Sequence, residues 1–128
     1  MVNTQLLQYW YDEVWNKANE NVIDELLHSN AVIHGLQTDA AKSGAEAFRP
    51  FYQSFKKEFP TVNVKLEPIF SYDGFEAAQC HVTLKSTDGK DAAFSGITIA
   101  KFEDGKLVEG WNGFDFLTMY QQLGFKLV

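Results

Sequence analysis

The sequence has a single cysteine, Cys80, only three prolines, and no run of eighteen apolar residues anywhere in its 128 positions. One thiol cannot close an internal disulfide, and there is no Asn-x-Ser/Thr acceptor, so a cytoplasmic protein is expected. The missing apolar run excludes a membrane-spanning helix. The first fifteen residues hold no basic leader followed by an apolar stretch, so no secretory signal is expected. Basic residues are scarce as well, 11 against 17 acidic ones, for a net charge of −6. A surface of that sign repels phosphate backbones and anionic lipid, which argues against nucleic acid and membranes as partners. The three histidines, His28, His34 and His81, show no metal-ligand spacing, and no metal site is expected. There is no G-x-S-x-G, no phosphate-binding P-loop and no G-x-G-x-x-G, and no cofactor is expected.

What is abundant is apolar and aromatic. Hydrophobic residues make up 45% and aromatics 15%, with eleven phenylalanines. A chain near this length buries roughly 70% of its unfolded surface, enough for one domain over residues 1–128 with a core that needs no staples. That many rings can fill a core and still line a pocket.

The periodicity splits the chain into a helical half and a strand half, which is an α+β pattern. Leu7, Trp10, Tyr11, Val14, Trp15 and Ala18 form one stripe at helical period, predicting a helix over about Thr4–Ala18. A short second helix follows with Val22, Ile23, Leu26 and Leu27, and Ala31–His34 reads as a short strand or an extended exit. Ser43 to Glu46 has capping-box spacing and opens a third helix with Phe48, Phe51, Tyr52, Phe55 and Phe59 on one face. Pro50 predicts a kink or a late start within it, and Pro60 its end. Beyond Thr61, the pairs Asp73-Gly74, Asp88-Gly89 and Asp104-Gly105 suit tight hairpin turns. They predict a four-stranded antiparallel meander, with a bulge or an unpaired edge position at Pro68 and a last helical turn over about Leu117–Leu123. Alternation places Cys80 and His81 on opposite sheet faces, so they cannot act as a nucleophile–base pair.

The run Phe102-Glu-Asp-Gly-Lys-Leu-Val-Glu-Gly-Trp-Asn-Gly-Phe-Asp115, followed by Leu117 and Gln122-Leu-Gly124, resembles the closing signature of SnoaL-like polyketide cyclases. Asn30-Ala-Val-Ile-His34-Gly35 resembles that family's His-Gly segment, and Gly44, Phe48 and Phe59-Pro60 its Gly-led helix. The resemblance covers nearly the whole chain. It implies the cone-shaped α+β fold of the nuclear transport factor 2-like superfamily: three N-terminal helices in a curved, mostly antiparallel sheet. It also implies a small-molecule cavity and a homodimer. Asp115 takes the position of the family's acid/base in aldol ring closure, and His34 that of its histidine. The insertion that follows the second meander strand in the cyclases is missing, since Lys85–Ala93 is only a hairpin.

The expected site therefore has Asp115 as general acid/base with a pKa raised by Phe114 and Phe116, and His34 as its polar partner. The alternative for Asp115 is a helix cap. Tyr11, Trp15, Phe51, Phe55, His81 and Trp111 are the expected substrate-binding residues, with His81 placed either in the cavity or at a dimer face. The cavity is expected to span roughly 300–1,000 Å³. Its ligand would be small and largely apolar, with a carbonyl or hydroxyl. The reaction would be a cofactor-independent cyclisation, isomerisation or hydration. The alternative is a non-catalytic ligand-binding or dimerisation domain of the same fold.

Overall fold

The computed structural model describes residues 5–125. The first helix α1 (Gln5–Trp10) runs without a break into a π-helical turn over Tyr11–Asn16, then α2 (Asn21–Leu26), β1 (Leu27–His34) and α3 (Gly44–Glu58). The rest is β2 (Thr61–Tyr72), β3 (Phe75–Lys85), β4 (Asp91–Glu103), β5 (Lys106–Phe114) and α4 (Phe116–Gln122). Strand order is β1-β5-β4-β3-β2, so the predicted meander forms and β1 joins it at one edge, parallel to β5.

The sheet has two different faces. Along β3, Glu76, Ala78, Cys80, Val82 and Leu84 are buried, while Gln79, His81, Thr83 and Lys85 are exposed. The inner face packs on α1, the π turn and α3 through one hydrophobic cluster that includes Trp10, Trp15, Phe48, Tyr52 and Phe59. Burial of such rings, each worth a few kcal/mol, is the main favourable term.

Several local expectations change. The first helix departs from α geometry midway: Lys17 N–H donates to the Asp12 carbonyl, five residues back, at 3.0 Å. Tertiary partners account for the wider turn. The Asn16 side chain pairs with Val64 on edge strand β2, donating to its carbonyl at 2.9 Å and accepting from its N–H at 2.6 Å. The Tyr52 hydroxyl donates to the Val14 carbonyl at 2.8 Å. The capping box does not form. Ser43 sits at the N-cap of α3 without a side-chain cap bond, and its hydroxyl donates to the Ser29 carbonyl at 2.8 Å instead. The helix starts at Gly44 and runs through Pro50 to Glu58. Pro68 does mark an irregularity, since the β2–β3 register shifts between Leu66 and Ile69. Two of the three Asp-Gly pairs make tight turns with both residues at positive φ, whereas Asp88-Gly89 lies in the longer connection between β3 and β4.

Candidate functional site

A cavity of about 60 Å³ lies between the helices and the inner sheet face. It holds only a few water molecules and falls short of the expected range. The reason is the ring packing: Trp15 meets Phe48, Phe51, Tyr52 and Phe55 at centroid distances of 5.0–6.2 Å, which fills much of the space the cone encloses. Tyr11, Trp15, Phe51 and Phe55 line the void, and Phe114 and Phe116 close it from the strand end. Gly110 on β5 also contributes wall; a Cβ there would meet Ile33 at 3.4 Å, an ordinary contact.

The cavity is apolar except for one side, where Tyr11, Thr98 and Asn112 come together. Asn112 is held from two directions. Its Nδ2 donates to the His34 backbone carbonyl at 3.0 Å, and its Oδ1 accepts from the Thr98 hydroxyl at 3.0 Å. Tyr11 lines the same cavity. Burial pushes the Tyr11 phenol far above its ordinary range, so it stays protonated. Burial likewise pushes the Cys80 thiol to about 11, which keeps it a neutral core thiol. Thr98 and Asn112 are additions to the residues expected from sequence. The signal for Asn112 lies in the parity of β5, where it alternates with Trp111 and shares the inner face with Gly110, and Thr98 is its register partner on β4.

The two predicted catalytic residues lie outside the cavity. Asp115 leaves the strand after Phe114 and caps α4: its carboxylate accepts from Thr118 N–H at 3.1 Å and from the Thr118 hydroxyl at 2.6 Å. Those bonds to the Thr118 side chain and backbone hold its carboxyl below the usual range, opposite to the expected rise. Phe114 and Phe116 turn toward the cavity while the acid between them faces solvent. His34 projects from the outer sheet face, where Nε2 lies 2.8 Å from Glu109 Oε2 and the ring stacks on Trp111 at 5.7 Å. Trp111 is thus an outer-face residue opposite Ile99, not a cavity wall. His81 is on the same outer face, with Nε2 at 3.2 Å from the Glu67 carbonyl. Among the described residues, no three His, Cys, Asp or Glu side chains converge as metal ligands.

Compared with known protein families, residues 5–123 match the model of the SnoaL-like polyketide cyclases. The chain belongs to that family. Solved structures agree in fold. IdmH from Streptomyces antibioticus, a candidate polyketide cyclase, superposes with a TM-score of 0.82 at 22% identity, covering 95% of this chain and 98% of its own. A candidate polyketide cyclase from Bacillus cereus ATCC 10987 gives 0.80 at 28% identity, covering 93% and 78%. AclR from Streptomyces galilaeus, a candidate hydroxylase, gives 0.78 at 17% identity, covering 94% and 95%. No curated protein sequence matches. The fold is therefore the nuclear transport factor 2-like cone of the SnoaL-like family, with four helices on a five-stranded curved sheet among the described residues. Among the described residues, no helix is long and apolar enough to cross a membrane. Within this SnoaL-like chain, Asp115, the acid/base expected from the sequence resemblance, is a helix cap, and His34, its expected partner, is an outer-face side chain. The polar groups that reach the cavity are others.

Proposed function

We propose that the protein binds a small, largely apolar ligand in the cavity between its helices and sheet, with a single polar atom of the ligand turned toward Tyr11 and Asn112. The observation that carries this reading is the composition of the wall: rings and aliphatic groups on all sides but one, and hydrogen-bonding side chains on that one. This is the division of labour in small-molecule sites. Acid/base turnover by Asp115 is not favoured, because a depressed, solvent-facing carboxylate is a poor proton donor at neutral pH. Tyr11, held protonated, suits hydrogen-bond donation to a carbonyl better than proton abstraction. A binding protein of the SnoaL-like family fits these groups better than a cyclase built on Asp115.

Gly110→Ala tests the reading. The added methyl is uncrowded and projects from the cavity wall. Removal of a glycine from a strand together with a buried methyl should raise stability by up to about 1 kcal/mol. Acetophenone, a ring with one carbonyl, should bind the wild type and perturb Trp10 and Trp15 fluorescence, and it should bind Gly110→Ala several-fold more weakly. Equal affinity in the two proteins, or no tryptophan response in either, would refute the reading.

We also propose that the outer sheet face is covered by a second copy of the chain. Phe70, Ile97 and Ile99 are exposed there beside the half-buried Phe75 and Trp111. The helices cover only the other face. The charged groups around this area pair with one another, Lys65 with Glu67, Lys85 with Asp91 and Lys101 with Glu103. A charge-balanced apolar patch fits a self-complementary partner. Sedimentation should give twice 14.5 kDa at micromolar concentration, and Ile97→Asp should give the monomer mass. A monomeric wild type would overturn this.

A further inference from the structure

The polar side of the cavity is a hydrogen-bond chain whose direction is set from one end. The His34 backbone carbonyl can only accept. Its partner on Asn112 must therefore be the amide nitrogen, which fixes which way that amide is turned. Asn112 Oδ1 then faces Thr98 and accepts its hydroxyl hydrogen. Thr98 has one hydrogen, and it is spent on Asn112. The second N–H of Asn112 has no acceptor among the described residues, and Asn112 lines the cavity.

We propose that Thr98 is a positioning residue, which holds the Asn112 amide with its free N–H at the cavity wall, so that the site selects ligands presenting a hydrogen-bond acceptor such as a carbonyl or ether oxygen. Thr98 is only 3% exposed, so water does not compete for its hydroxyl. Without that hydroxyl, Asn112 Oδ1 loses its donor and the amide is tied at His34 alone. A ligand lacking an acceptor leaves the Asn112 N–H unmet once water is displaced, and that cost is what discriminates. The inference rests on the cavity being a ligand site, and it goes further by naming what the ligand must offer and which residue enforces it.

Two probes of one shape decide it. Acetophenone and α-methylstyrene share a planar skeleton and differ by a carbonyl oxygen against a methylene. Both are titrated into wild type, Thr98→Val, Thr98→Ser and Asn112→Leu, followed by NMR of cavity methyl groups, and each Kd is corrected for transfer from water. In the wild type the ratio should favour acetophenone by roughly three- to tenfold, the worth of one net hydrogen bond. It should fall toward one in Asn112→Leu, fall at least about twofold in Thr98→Val, and recover in Thr98→Ser. A variant that is merely destabilised would weaken both probes and leave the ratio alone. A ratio that is unchanged in both Thr98→Val and Asn112→Leu overturns the inference while the cavity reading stands. If Asn112→Leu does not fold, the Thr98→Val and Thr98→Ser pair decides the matter through a single hydroxyl. Failure of both probes to shift any cavity resonance of the wild type overturns the cavity reading itself, and this inference with it.

Discussion

Gly35→Ala is expected to destabilise the protein by about 3–5 kcal/mol, whereas Gly89→Ala should cost only about 1 kcal/mol. The two glycines share a backbone conformation, φ +86° and +84°, so the left-handed penalty for a side chain is the same. They differ in what surrounds them. A Cβ on Gly89 meets nothing within 4 Å, while one on Gly35 would lie 1.9 Å from the backbone oxygen of Asn112. That oxygen belongs to β5, and it cannot step aside without moving the strand that pairs with β1 through Ile33–Gly110 and His34–Trp111. The same shift would break the bond from Asn112 to the His34 carbonyl. Gly35→Ala should therefore lose roughly 10–25 °C in Tm and its acceptor-selective binding as well. Thermal melts of the two variants side by side are the check. Equal losses would mean that the close approach of the two backbones is not what requires glycine at position 35.

Much of the fold is legible in the sequence because each signal is local. The stripe from Leu7 to Trp15, the alternation around Cys80 and the paired glycine turns at Asp73 and Asp104 each depend on a few neighbouring residues. The Asp88-Gly89 pair looks the same in sequence, yet it sits in a five-residue connection, where Ser86 N–H donates to the Lys90 carbonyl at 2.8 Å. The turn type there is decided by Ser86 and Lys90, outside the dipeptide. The π turn and the failed capping box are not legible, for a related reason. Asn16 and Ser43 each find partners distant in sequence, on Val64 and Ser29, and those bonds outweigh the local preference.

The site is harder to read, and β5 shows why. Alternation puts Glu109 and Trp111 on one face but does not say which face is inward. Hydrophobicity normally decides that. Here it misleads, because the outer face is itself apolar, with Trp111 beside Phe75 at 6.3 Å and opposite Ile99. A large ring reads as core wherever it stands, so Trp111 looks like cavity wall from sequence and Asn112 does not. Asp115 shows a second limit. Alternation ends at Phe114, and one residue later the backbone has left the strand to start α4. A short polar side chain at that junction finds the free N–H of Thr118 nearer than the cavity. Family position supplies the catalytic expectation, and local backbone geometry supplies the cap.

Trp15→Ala should be the most damaging truncation at the cavity, costing about 3–5 kcal/mol, and it should convert the small void into a larger binding site. The indole lies at the centre of the aromatic cluster, against four rings within 6.2 Å. Three of those rings, Phe48, Phe51 and Phe55, are also cavity walls. Its removal therefore costs both transferred apolar area and ring-to-ring contacts, and the neighbours on α3 are held too firmly by the helix to collapse fully into the gap. The space left is continuous with the existing 60 Å³ and is shaped for an indole. Added indole should then bind Trp15→Ala more tightly than wild type and raise the variant's Tm, by about 1.4 kcal/mol of stability at ten times its Kd. Wild type, whose cavity is smaller by the volume of that ring, should bind indole more weakly and respond several-fold less. Melts with and without indole distinguish the outcomes. A loss under about 1 kcal/mol would mean that the cluster relaxes around the missing ring. An equal indole response in both proteins would mean that the ring of Trp15 does not limit the size of the cavity.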